Sequence, residues 1–157
     1  MIQPPEDGDK RRSWYSHKFK KPAARYEVAV SIQTGDIVWT SGPWRAGRYP
    51  DIKIFRQGGL KQKLLEAGER AEADLGYRGE PATINLPEEG PAELLLVKKR
   101  IRMRHETVNK QFKNWECLNQ RFRHSVTFHY KCFRAVVVLT QLAIENGEPL
   151  FGAAIEG

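Results

Sequence analysis

The sequence predicts an α/β fold from three patterns. Residues 25–33 (Arg-Tyr-Glu-Val-Ala-Val-Ser-Ile-Gln) place β-formers at alternating positions, as a half-buried strand does. Between Thr127 and Asn146, Phe128, Cys132, Ala135, Val136, Leu139, Leu142 and Ala143 recur at helical spacing. Between these two lies a short stretch, Ala71-Glu-Ala-Asp74, followed closely by Gly76 and Gly79. Its strand propensity is weak, but a short element that stops at glycines suits a central strand ending at a site.

The elements follow in order. Thr34-Gly35-Asp36 is a turn and residues 37–41 are a second strand, so the two strands make a hairpin. Gly42, Pro43, Gly47 and Pro50 mark residues 42–50 as a loop. Asp51 is then placed to cap a helix that carries Ile52, Ile54, Phe55, Leu60, Leu64 and Leu65. Gly58-Gly59 interrupts that helix and Gly68 ends it. Residues 80–97 form an insertion containing Pro81, Pro87 and Pro91, within which Leu94-Leu-Leu-Val97 suits a further strand. Residues 98–115 read as a helix with Val108, Phe112 and Trp115 on one face. Gly147 caps the last helix, and no internal repeat is visible. Residues 1–13 read as a flexible basic arm, 14–151 as one domain and 152–157 as a tail.

Composition narrows the function. The 157 residues carry a formal charge of +7, which favours a polyanionic partner, nucleic acid first among them; plain solubility is the alternative. Cys117 and Cys132 form no CxxC pair and suit reduced thiols in an intracellular protein. No apolar run approaches the roughly 20 residues of a membrane span, and no secretory leader is present. The histidines show no zinc spacing, and there is no P-loop, GxGxxG or nucleophile elbow.

Three acidic residues stand out. Asp51 closes a turn-rich run, Asp74 precedes Leu75-Gly76-Tyr77, and Glu106 sits in the helical stretch Arg104-His-Glu-Thr-Val-Asn109. Carboxylates gathered from distant segments are how proteins hold Mg²⁺ or Mn²⁺, and two such ions about 4 Å apart can cut a phosphodiester. Each residue also has an ordinary reading. Asp51 can be a helix cap, Glu106 a solvated partner of Arg102 or Arg104, and His105 a structural histidine. Basic residues cluster in two stretches: Lys98, Lys99, Arg100, Arg102 and Arg104 in one, and Arg121 and Arg123 around the aromatic Phe122 in the other. Such surfaces neutralise phosphates, or else are simply solvated.

These residues also carry a resemblance. Trp14-Tyr-Ser-His-Lys-Phe19, Ile32-Gln-Thr-Gly35, Pro50-Asp51, Ala73-Asp-Leu-Gly-Tyr77, Arg104-His-Glu-Thr-Val-Asn109 and Arg121-Phe-Arg-His124 resemble the DDE superfamily endonuclease domain of Harbinger-type transposase-derived nucleases. The resemblance runs from about residue 13 to 151. It implies an RNase H-like mixed sheet flanked by helices, with Mg²⁺ or Mn²⁺ as cofactor and DNA as substrate. It also implies a nuclear setting and a separate DNA-binding partner protein. By that resemblance Asp74 is catalytic, Asp51 is a metal ligand, and the helical acid is Glu106, although one register places Asn109 there. The family's first catalytic Asp lies on a strand upstream of Trp14. The expectation is therefore a domain lacking its first strand and inactive for that reason, with a non-catalytic DNA- or protein-binding remnant as the alternative.

Overall fold

The computed structural model describes residues 12–18, 20–87 and 90–148. The expected tail and most of the expected arm lie outside them. Strand β1 (Tyr15–Ser16) pairs antiparallel with β2 (Lys21–Pro22). Strands β3 (Ala24–Val30) and β4 (Ile37–Arg45) form the expected hairpin, with irregular register at Arg25/Glu27 and Ala29/Val30. Helices α1 (Asp51–Gly58) and α2 (Leu60–Ala67) follow. Strand β5 (Ala71–Glu72) pairs parallel with β6 (Ile84–Asn85), and a 3₁₀ turn at Leu75–Tyr77 lies in the crossover between them. Three helices complete the described chain: α3 (Ala92–Lys113), α4 (Glu116–Asn119) and α5 (Val126–Glu145).

The hairpin organises the packing because its side chains alternate between two faces. Tyr26, Val28 and Val30 turn toward Val108 and Phe112 of α3 and Phe133 and Val136 of α5. Ala29 and Trp39 turn the other way, toward Phe55, Leu60 and Ile84. A third cluster joins Trp14 to Phe122 near Cys117 and Cys132. Helices thus cover both hairpin faces, as an α/β arrangement requires. Among the described residues, however, the strands make three separate two-stranded sheets rather than one mixed sheet. Strands β5 and β6 are two residues each and bond only to one another, so no ladder joins them to the hairpin.

The structure corrects several sequence expectations. Residues 94–97 are helical, not a strand: Pro91 sets the extended turn before α3, and leucine favours helix. Helix α3 ends at Lys113, so Trp115 leaves the face of Val108 and Phe112 and is 42% exposed. In α5 the buried face is His129, Phe133, Val136 and Thr140, one residue round from the stripe expected, while Phe128, Leu139 and Leu142 are exposed. Strand β4 continues through Gly42-Pro43 to Arg45 instead of giving way to a loop. The break between α1 and α2 falls at Gly59, whose φ of 103° is left-handed and favours glycine.

Two basic residues expected to hold DNA are instead drawn into the fold. Lys98 is buried, donates to Leu86 O at 2.8 Å and lies 3.5 Å from Glu72 Oε2. Arg104 donates to the backbone carbonyls of Ile32 and Gln33, tying α3 to the hairpin turn. His105 Nε2 meets Val28 O at 3.1 Å and Asn109 Nδ2 meets His105 Nδ1 at 3.2 Å, which supports the structural reading of that histidine.

Phe133 stacks on Tyr26 at 3.8 Å between centroids and meets Phe112 edge-on. We expect Phe133→Ala to cost about 3–5 kcal/mol in urea unfolding, the range for deleting a buried aromatic ring. A loss below about 1 kcal/mol, typical of a surface site, would contradict this packing.

Candidate active site

Asp51 and Asp74 come together at the start of two helical turns. Asp51 is the first residue of α1, after Pro50, and makes no capping hydrogen bond. Its Oδ1 instead accepts from Arg25 Nη1 at 2.9 Å, and the same nitrogen donates to Tyr49 O at 3.1 Å. Asp74 follows β5 and caps the 3₁₀ turn, its Oδ1 accepting from Gly76 N at 2.9 Å. Both carboxylates border Gly76. A Cβ there would lie 2.9 Å from Asp74 Oδ1 and 3.2 Å from Asp51 Oδ2. The missing side chain is therefore what lets two acids from different segments approach one notch.

The scaffold around the notch is braced. Phe55 of α1 packs edge-on against Tyr77 at 5.8 Å. Glu80 takes Arg56 from α1 on Oε1 and Lys61 from α2 on Oε2, the latter at 2.8 Å. These contacts hold the end of α1 and the start of α2 against the segment carrying Asp74. The Glu80 carboxyl is held below its ordinary range by the hydrogen bonds from Lys61 and Arg56.

A buried acid lies behind the pair. Glu27 is 4% exposed; its Oε2 accepts from Trp39 Nε1 at 3.1 Å, and its Oε1 has no hydrogen-bond partner among the described residues. Burial pushes its carboxyl up to about 7, against the lowering effect of the Trp39 bond and with a further push from Asp51. Tyr77 is raised well above the ordinary phenol range, first by burial and then by the charges of Glu27, Asp51 and Asp74, with Arg25 opposing. Arg25, Glu27 and Tyr77 thus complete the electrostatic surroundings of the pair, and sequence reasoning missed all three. Parity alone misleads there: Arg25, Glu27 and Ala29 share the face opposite Tyr26 and Val28, which a half-buried strand turns to solvent, and only the packing of Phe55, Leu60 and Ile84 on that second face buries it.

In front of Asp74 opens a cavity of about 570 Å³. Gly76 and Leu75 line one side with Asp74; Leu95, Lys99 and Arg102 of α3 line another, and Pro87 adds a third wall. Lys99 and Arg102 therefore share the cavity with Asp74, as a phosphate-neutralising surface should, while Asp51 lies outside its lining. Glu106 is exposed and does not line the cavity. Helical geometry puts it on the same face as Leu95, Lys99 and Arg102, about 6 Å along the axis beyond Arg102. Among the described residues no group of three or more His, Cys, Asp and Glu side chains is arranged to hold a metal ion. Arg100, Arg121 and Arg123 are exposed and outside the cavity lining.

The family model of DDE superfamily endonucleases matches residues 1–141, and the chain belongs to that family. Comparisons with curated proteins and with solved structures return no significant match. Membership gives a nuclease-type domain whose substrate is DNA, in a family that generally uses divalent metals, and it implies the RNase H-like fold of which the described residues show only small separate sheets. No helix among the described residues is long and apolar enough to cross a membrane.

Glu27 and His129 give the stability a characteristic pH profile. Burial lowers His129 to about 4, and a neutral ring can accept from the Tyr26 hydroxyl 2.7 Å from Nδ1. The His129 contribution is present above its unfolded value of 6.5 and is lost as pH falls toward about 4. The Glu27 contribution has the opposite sign: present below 4.5, it is lost as pH rises through about 7. The two oppose one another in mild acid, so Tm should fall as pH rises from 6.5 to about 8, where Glu27 acts alone. Glu27→Gln should abolish that fall in thermal melts. A wild-type Tm that holds level there would show that Glu27 is already ionised.

Proposed function

We propose that this chain is a divalent-cation-dependent, DNA-cutting domain of Harbinger-type transposase descent, acting on nuclear DNA alongside a separate DNA-binding protein. One observation carries the reading: Asp51 and Asp74 meet over Gly76, and Lys99 and Arg102 line the cavity that opens beside Asp74. The donors suit Mg²⁺ or Mn²⁺, because both are hard carboxylate oxygens and the notch is open where a Cβ would otherwise stand. A divalent cation held there supplies activation of water and charge stabilisation on the phosphate.

The chain's own residues do the positioning. Arg25 occupies Oδ1 of Asp51, which leaves Oδ2 on the side of Gly76 and Asp74. The Gly76 amide fixes one oxygen of Asp74 and leaves the other for a ligand. Lys99 and Arg102 neutralise the phosphates on either side of the bond, and Arg100 extends that basic surface outside the cavity. Glu106, on the α3 face that bears Lys99 and Arg102, is the third acid of the proposed set.

A second reading has its own support. Two acids meet at the notch while Glu106 stands apart, an arrangement that suits a DNA-binding remnant without chemistry. Calorimetric titration with Mn²⁺ separates the two. The cutting domain binds Mn²⁺ weakly, and Asp74→Ala removes the heat; identical traces for both proteins would rule out the site. Gly76→Ala is the sharper probe, since its methyl occupies the notch without removing an acid. It should weaken Mn²⁺ binding by about tenfold or more, or ~1.4 kcal/mol, while the protein still melts cooperatively. Plasmid nicking in Mn²⁺ that persists in Asp74→Ala would reject the proposed catalytic role.

A further inference from the structure

The cavity beside Asp74 has a feature that charge alone does not explain. Three apolar side chains from three separate segments converge on it: Leu75 from the 3₁₀ turn, Pro87 from the loop after β6, and Leu95 from α3. Leu75 is 46% exposed and Leu95 37% exposed, and both line the cavity. Single exposed leucines are ordinary, but an apolar wall within a charged cleft marks a ligand with an apolar part.

The order of residues along α3 says what that ligand is. Leu95, Lys99 and Arg102 share one helix face at intervals of about one turn, or about 5.4 Å. The apolar contact therefore sits one turn from the first cation and about two from the second. A nucleotide has the same order, a flat base followed within a similar reach by its own phosphate. Stacked in a paired duplex, a base is shielded and the backbone offers this wall only charge. An unstacked nucleotide offers both parts at once.

Resting on the DNA-cutting reading above, we infer that the cavity formed by Leu75, Pro87, Leu95, Lys99 and Arg102 holds one unstacked nucleotide of the strand next to Asp74. The domain is then selective for DNA that is unpaired at that position. The base lies against the leucines and proline, and its phosphate lies between the two cations and the acid.

The test is a binding experiment that needs no cleavage. One labelled sequence is presented as a single strand and as a blunt duplex, with Ca²⁺ as the cation and about 0.15 M salt, and affinity is read by fluorescence anisotropy. Wild-type protein should favour the single strand by at least about fivefold, what removing roughly 40 Å² of apolar base and side-chain surface from water contributes. Leu95→Gln should remove that preference without weakening duplex binding, and Leu95→Met should keep it. Lys99→Gln should weaken both forms alike. Circular dichroism confirms that each variant retains its helices. Equal wild-type affinity for the two forms, or a preference that survives Leu95→Gln, overturns the inference and leaves the DNA-cutting reading standing. Failure to bind either form even at low salt overturns both.

Discussion

Two negative charges meet at one glycine, and Arg25 makes that arrangement tolerable. Like charges at such proximity repel unless a cation or a set of donors offsets them. Here Arg25 takes one oxygen of Asp51, and the Gly76 amide takes one oxygen of Asp74. Each acid also begins a helical turn, where the exposed amides favour negative charge. The pair is held in position from behind, and the remaining oxygens are left for a ligand. Glu27, with no comparable offset and almost no solvent, rises instead toward neutrality. The same hairpin thus presents one cation to the site and hides one acid behind it.

The two-faced hairpin explains why distant segments converge. Its Tyr26 and Val28 face anchors α3 and α5, and its Trp39 face anchors α1 and β6. Asp51 enters with α1 and Asp74 with the β5–β6 unit, and both are referred to the same two strands. The cations enter separately with α3, which the Arg104 and His105 contacts fix to the hairpin backbone. The acids thus come from one side of the hairpin, with α1 and the β5–β6 unit, and the cations from the other, with α3.

The hairpin, the glycine break after α1 and both long helices were legible in the sequence, because alternation, helical spacing and glycine are local signals. So were Asp51 and Asp74 as acids in unusual settings. Which face of α5 is buried was not legible, because two apolar stripes compete there and only the partner surface decides between them. Residues 94–97 read as a strand because a run of leucine and valine lacks periodicity; Pro91 settled the matter by starting a helix just before it. Arg25 and Lys98 show the harder limit. Both are basic residues in basic surroundings, yet one braces an acid and the other is buried beside Glu72. Charge in a sequence tells little about its partner when that partner lies on another element.

The segment that carries Asp74 is also the crossover of the parallel β5–β6 pair. Residues 73–83 must leave one strand and return alongside it in the same direction, with barely enough chain for the task. Connecting loops are often the freest part of a fold to lengthen or shorten. This one is not, because any change in its length must also be absorbed by strand registry. Evolution could remodel the rim around the acid, but the path of the chain through it is fixed by topology.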